Sequence, residues 1–239
     1  MSPPPAVEAR GVSFTYRGGA RPALSRVDLD LADGQWGLLV GPGGAGKTTL
    51  VRCLHRSIPQ FHAGDLTGSI RVSGRQIEGQ RVAQMASQVG VVFQDFESQI
   101  FSTTCLLEVA FAMENRGLPP GSIPGRAEAL LESVGLAGFA DRDPVTLSGG
   151  EKQRLVIAAV LALDPSVLLL DEPASDLDSG GRSDVYAVLG RQKDSGQRPA
   201  VLLVEHDLEG LPPTDGGALL VDGCVTSSWG GARGDGVAA

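Results

Sequence analysis

The chain is short of several things that would each point to a class of function. Of its 239 residues only three are cysteines, Cys53, Cys105 and Cys224. They lie far apart and form no CxxC or Cys/His cluster, which argues against a disulfide framework or a zinc site and fits a reducing cytosol. His55 and His62 have no ligand partner at metal spacing. Positive charge is also in short supply: 20 Lys and Arg stand against 28 Asp and Glu, a net charge of −8. The basic face that nucleic acid demands is missing, and no nucleic-acid partner is expected. Long apolar runs are absent as well. The longest, Leu155 to Leu163, stops at Asp164-Pro165, well short of the ~20 residues a spanning helix needs. The opening SPPPAVEAR is Pro-rich and polar, which predicts no signal peptide. Any membrane role must therefore come through a partner.

What the chain does have is glycine, 33 residues, and with it the capacity for tight loops and close backbone approaches. Its length suits one large domain, or a domain with an inserted lobe. Residues 1–5 read as a disordered lead. Apolar and polar residues alternate in VEARGVSFTY, Val7 to Tyr16, and again in LSRVDLDL, Leu24 to Leu31, predicting a hairpin of an antiparallel β-layer. WGLLV, Trp36 to Val40, reads as a short strand with Trp36 in the core, and Thr49 to Arg56 as a helix. Strands are predicted over Gly68 to Val72 and Val89 to Phe93.

Between about residues 95 and 163 the spacing turns helical, in AEALLESVGL and RLVIAAVLAL, with LPPGSIPG as punctuation. This predicts a helical lobe inserted in an α/β core spanning about 7–94 and 164–229. VLLLDE and AVLLVEH are uniformly apolar, as parallel strands covered on both faces should be, with a helix around Asp184 to Gln192 between them. GGALLVDG and CVTSSW predict a late hairpin. From residue 230 to 239 the chain is small and Gly-rich and reads as a disordered tail, in which the RGD at Arg233 to Asp235 is a coincidence of composition.

Two strings carry chemistry. Gly41, Pro42, Gly43, Gly44, Ala45, Gly46, Lys47 and Thr48 spell GPGGAGKT, a match to GxxxxGK[ST] with a strand before it and a helix after it. Glycines let backbone N–H groups turn inward on phosphate oxygens, and the helix that Thr49 continues presents its positive end to the same anion. Lys47 would place a cation on the β and γ phosphates, and Thr48 a hydroxyl on Mg²⁺. The second string, VLLLDEP, carries an acidic pair to the carboxyl end of a strand, where ligands sit in open α/β sheets. Asp171 would hold Mg²⁺, and Glu172 would orient or deprotonate the attacking water.

LSGGEKQR, Leu147 to Arg154, resembles the signature motif of ABC ATPases, and the other elements of that family follow in order. The resemblance runs from about Val7 to Trp229. It implies a P-loop NTPase core of the α/β class with a mostly parallel sheet, an antiparallel β subdomain and an inserted α-helical lobe. It implies ATP and Mg²⁺ as ligands. Ser148, Gly149 and Gly150 would bind the γ-phosphate held by the opposite subunit; a serine-glycine turn that merely caps a helix is the plainer alternative. Tyr16 matches the aromatic that stacks on adenine, and Gln94 the glutamine that senses Mg²⁺ and the lytic water. Asp178, in ASDLD, matches the acidic position of the loop crossing the dimer interface, and His206 the switch histidine. Gly44 stands where Asn or Ser is frequent, and Asp176 where a small residue is commoner.

The stretches Phe93 to Asn115 and Ile58 to Ile70 look like those of energy-coupling-factor ATPases, which drive uptake of vitamins and of cobalt or nickel ions. Phe96 replaces a proline frequent there, and the chain ends soon after its last hairpin, without the extension many members carry. The resemblance implies a second ATPase subunit, identical or paralogous, and a transmembrane subunit that holds the chain at the cytoplasmic face of the membrane. An ABC exporter subunit is the alternative reading. A soluble ABC protein ranks lower, since there is one cassette, no useful heptad run and an acidic balance.

Overall fold

The computed structural model describes residues 4–194 and 199–230. Its strands are β1 (Val7–Tyr16), β2 (Leu24–Leu31), β3 (Trp36–Val40), β4 (Gly64–Val72), β5 (Arg75–Gln76), β6 (Val89–Val92), β7 (Val167–Asp171), β8 (Ala200–Glu205), β9 (Gly216–Val221) and β10 (Cys224–Gly230). Its helices are α1 (Lys47–Leu54), α2 (Ser57–Gln60), α3 (Val82–Met85), α4 (Cys105–Asn115), α5 (Ile123–Ser133), α6 (Gly149–Leu161) and α7 (Ser179–Asp194).

The strands form two sheets. One has four strands in the order β2-β1-β4-β5, antiparallel throughout; the other has six in the order β10-β9-β3-β8-β7-β6. Within the larger sheet, β9, β3, β8, β7 and β6 run parallel and β10 closes the edge as an antiparallel hairpin with β9. Period-2 alternation explains β1, which buries Val7, Ala9, Val12 and Phe14. The alternation skips a residue between Ala9 and Val12, where the register shifts. Gly11 sits in that shift with φ +58° and donates its N–H to Asp28 Oδ1 at 2.6 Å, a bulge in the strand.

The uniformly apolar runs behave differently. Leu38, Leu168, Leu170, Val201 and Leu203 face the helices, among α4, α5, α6 and α7. Their neighbours Leu39, Val167, Leu169, Leu202 and Val204 face the other way, into a core shared with α1 and the antiparallel sheet. A sheet covered on both faces needs apolar side chains at every position, which is why no alternation is visible there. Trp36 is buried as expected. Helices α4, α5 and α6 all fall within residues 95–163.

Several boundaries differ from expectation. Helix α1 begins at Lys47 rather than Thr49 and ends at Leu54, and the chain leaves its helical path at Arg56, φ +68°. Helix α5 begins at Ile123, inside the stretch expected to be punctuation. Pro124 falls in its first turn, where a missing N–H costs no hydrogen bond. Strand β4 starts at Gly64, four residues before the predicted start. Pro4 and Pro5, assigned to a disordered lead, have defined positions, and Pro4 packs beside Gly74. Gly230, assigned to a disordered tail, ends β10 opposite Gly216; the remainder of that tail, its RGD included, lies outside the described residues. No helix among the described residues is long and apolar enough to cross a membrane.

The lobe is fastened to the sheet where α6 crosses β6. A Cβ on Gly90 would lie 2.5 Å from Val160 Cγ1 and 3.1 Å from Pro165 Cγ. Gly90→Ala is therefore expected to destabilise the chain by about 1–3 kcal/mol through overpacking, read as a lower urea midpoint. An unchanged midpoint would mean that α6 does not seat on β6 at this point.

Candidate active site

The glycine loop folds as its residues dictate. Gly46 precedes α1 with φ +103°, and a Cβ there would run into Ala23 O. A Cβ on Gly41 would run into Leu220 O. Both close approaches admit only glycine. Gly44 has φ +76° with open space around it, a left-handed position that glycine and asparagine share most readily. No side chain caps α1. Among the described residues, nothing accepts from the N–H groups of Gly43, Gly44, Gly46, Lys47 or Thr48. A helix start whose donors are left over is a seat for an anion.

Lys47 is only 5% exposed, and its ammonium donates to Gly41 O at 2.9 Å and Pro42 O at 3.3 Å. Its charge is balanced by Glu172 Oε1 at 3.2 Å. The other oxygen of the same carboxylate lies 3.4 Å from His206 Nδ1. Three strands converge here: β3 delivers the loop, β7 delivers Asp171 and Glu172, and β8 delivers His206. Glu172 has φ +50°, uncommon for a residue with a Cβ, and is held there by its N–H to Val204 O and by Ser175, whose N–H and hydroxyl both reach Glu172 O.

Asp171 is buried, and neither carboxylate oxygen has a hydrogen bond. Burial pushes its carboxyl above the usual carboxylate range, and the Glu172 charge adds to that; the Thr48 hydroxyl, Arg52 and Lys47 pull the other way without completing a hydrogen bond. Thr48, Gln94 and Asp171 line one cavity of about 420 Å³, with Gln94 exposed at its mouth. An orphaned carboxylate and a hydroxyl beside an anion seat fit Mg²⁺, which takes one or two carboxylates together with phosphates and water. His55, in the same cavity, is lowered by burial to about 4 and stays neutral. Neither His55 nor His62 belongs to a metal-binding cluster of the described residues.

Tyr16 stands at the same helix, its hydroxyl 3.1 Å from Thr49 Oγ1 and its ring edge-on to Phe14. The remaining candidates are elsewhere. Ser148, Gly149 and Gly150 line a separate cavity of about 460 Å³ with Asp176, Leu177 and Asp178, sharing no residue with the first. Ser148 caps α6 in a reciprocal box: its Oγ accepts from Glu151 N at 3.4 Å while its N–H donates to Glu151 Oε2 at 2.8 Å. The Ser148 N–H foremost, and the Ser148 hydroxyl with it, hold the Glu151 carboxyl below its ordinary range. Asp178 caps α7 through Gly181 N at 2.7 Å.

Sequence reasoning missed the groups behind His206. Glu205 is buried and accepts from Tyr186 Oη at 2.6 Å, and Arg182 pairs with Asp207. The carboxylates on either side of the histidine in VEHD were visible, but not the α7 residues that pair with them.

Asp171 also makes a stability prediction. Its carboxyl holds a proton more tightly folded than unfolded, so the native state loses stability as pH rises from the ordinary carboxylate range through the raised folded value. Asp171→Asn, which removes the buried charge while keeping the shape of the side chain, is expected to raise the melting point of the ligand-free chain at neutral pH. The gain should shrink toward pH 4, where the wild-type carboxyl protonates too. A melting point lower than wild type at pH 7 would refute it.

Comparison with known proteins bears on the family and the fold. Residues 24–175 match the family model described as ABC transporter. A protein of Methanosarcina acetivorans, provisionally named an ABC transporter ATP-binding protein, is 41% identical over 207 residues, 87% of this chain and 34% of its own length. The chain spans about a third of the length of the first such curated relatives. The energy-coupling factor transporter ATP-binding protein EcfA1 of Oenococcus oeni is 35% identical over 92% of this chain and 78% of its own. Among solved structures, CbiO1 of Clostridium perfringens, described as part of the ABC transporter complex CbiONQ, superposes with a TM-score of 0.83 at 26% identity, covering 94% of this chain and 88% of its own. The dimeric cassette MJ0796, solved with ADP and Pi, superposes at 0.81 and 25% identity, covering 94% and 98%. With well over half its length inside the family model and its fold matched across nearly all the rest, the chain belongs to the ABC transporter family.

Proposed function

We propose that the chain is the ATP-hydrolysing subunit of an importer of the energy-coupling-factor type, powering uptake of a micronutrient, a vitamin or a transition-metal ion. It would sit at the cytoplasmic face of the membrane, bound to a transmembrane subunit, and work as a dimer with an identical or paralogous cassette. The chemistry rests on one observation: a single carboxylate, Glu172, bridges the phosphate-loop lysine and the histidine after β8. The subgroup rests on EcfA1, which is alike over most of both chains.

In this reading Lys47 and the free N–H groups of the loop hold the β and γ phosphates, and Tyr16 supports adenine. Thr48, Asp171 and Gln94 would hold Mg²⁺, which when bound neutralises charge on the phosphate oxygens. Glu172 orients the attacking water and accepts its proton, and His206 fixes the carboxylate from the far side. Ser148, Gly149 and Gly150 would meet the γ-phosphate held by the other cassette, and Asp178 would stand at the crossing between them.

Glu172→Gln keeps size and hydrogen bonding but removes the base. Turnover should fall by at least about 100-fold while ATP still binds, so that closed dimers accumulate on size-exclusion chromatography; phosphate release at the wild-type rate would remove Glu172 from this role. Lys47→Ala should weaken nucleotide binding itself in a filter or calorimetric assay, and unchanged affinity would count against the loop assignment. Purification from membranes should bring down a membrane-spanning partner; ribosomes in its place would overturn the transport reading.

A further inference from the structure

Helix α7 touches the turn after β8 at two points. Tyr186 donates its hydroxyl to Glu205 Oε1 at 2.6 Å, and Arg182, one helical turn earlier, pairs with Asp207. Glu205 and Asp207 are the residues on either side of His206. The tyrosine ring and the Glu205 carboxylate are both buried, a location where a hydrogen bond is stronger and its loss more costly than at the surface. The Arg182 guanidinium holds the Asp207 carboxyl below its ordinary range, while burial first, and the Glu172 charge with it, pushes Glu205 upward.

The start of α7 is fastened too. Asp178 accepts from Gly181 N through its side chain at 2.7 Å and from Arg182 N through its carbonyl at 2.9 Å. Before Asp178, Leu177 N bonds Ala174 O, and Ser175 bonds Glu172 O. The contacts therefore close on themselves. They run from Glu172 through the turn 173–178 into the first turns of α7, across to Glu205 and Asp207, and from His206 back to Glu172 at 3.4 Å.

We propose that Arg182 and Tyr186 are positioning residues that clamp the His206 turn to α7, so that the placement of His206 against Glu172 follows the position of loop 174–178. The inference rests on the ATP-site reading above. That loop lines the second cavity with Ser148 and Gly150. Movement there would reach His206 through one turn of helix and two side-chain contacts, without passing through the nucleotide loop.

The test measures ATP turnover by the membrane-purified complex carrying Tyr186→Phe with Arg182→Gln, a pair that removes both contacts and leaves the aromatic ring in place. kcat should fall by about tenfold with KM for ATP and nucleotide affinity within about twofold. In a His206→Ala background the same pair should cost less than about twofold more, because residues acting through one group are not additive. Glu205→Gln, which can still accept from Tyr186, should stay within about twofold of wild type. In the ligand-free chain, the His206 ring proton signals should move in the double variant while those of His62 stay. A double variant with wild-type kcat, an equal loss in both backgrounds, or an unmoved His206 signal overturns the clamp. If wild type splits no ATP, or His206→Ala is silent, it is the ATP-site reading that fails.

Discussion

The parallel register of β3, β8 and β7 is the constraint on which the site depends. Val40 stands opposite Glu205, and Asp171 opposite Val204. The three strands therefore end at one level, and the loops leaving them must meet. Lys47, Glu172 and His206 come from three distant parts of the sequence and need no further device to find each other. A slip of one residue would turn each side chain to the opposite face of a sheet that is buried on both sides. The apolar packing that fixes the register therefore fixes the geometry of the candidate site too. Glu172 shows how tightly it is held. A residue with a Cβ rests at φ +50° because its own N–H is paired to Val204 O on the neighbouring strand. Glycine would relax the backbone there but would remove the carboxylate, and strain retained at such a position is typical of a site that needs its side chain.

The charges in the site are unequally compensated. Lys47 is buried with three oxygen partners, so its burial is largely offset. Asp171 is buried with none. A carboxylate left in that condition lowers the stability of the fold and raises the reward for a cation that reaches it. The two helix starts near the proposed ligand differ in the same sense. That of α1 has free donors and no cap, whereas that of α6 is satisfied by its own Ser148 and Glu151. An anion can be seated at the first without displacing anything. At the second it must compete with a carboxylate already there.

Much of this was legible in the sequence, for reasons that differ by element. The strands were plain because VLLLDE and AVLLVEH are too uniformly apolar and too short for anything but doubly covered strands, and β7 and β8 end within one residue of the expected positions. The glycine loop was plain because GxxxxGK[ST] is a backbone requirement written in residue types. Boundaries set by capping were harder. The start of α5 was read as punctuation because two prolines, Pro119 and Pro120, precede it, yet Pro124 opens the helix. The short helices α2 and α3 give no periodic signal at four residues each. The Glu205 and Asp207 contacts were hidden for another reason. They depend on α7 lying across the end of β8, and no local pattern in VEHD specifies what packs behind it.

The separation of the two cavities is the physical ground for the proposed pairing of two cassettes. Thr48, Asp171 and Gln94 open on one cavity, and Ser148, Gly149 and Gly150 open on another, with no residue in common. Helix α6 is held by its apolar face against β6, where Gly90 leaves no room for adjustment, and by its packing on α4, α5 and α7. Folding the serine-glycine loop back onto the lysine loop of the same chain would require breaking that seam, and with it much of the core on the helical side of the sheet. Two chains facing one another can instead bring unlike cavities together without disturbing either core. The protomer need not flex for this; the seam between lobe and sheet need only stay rigid.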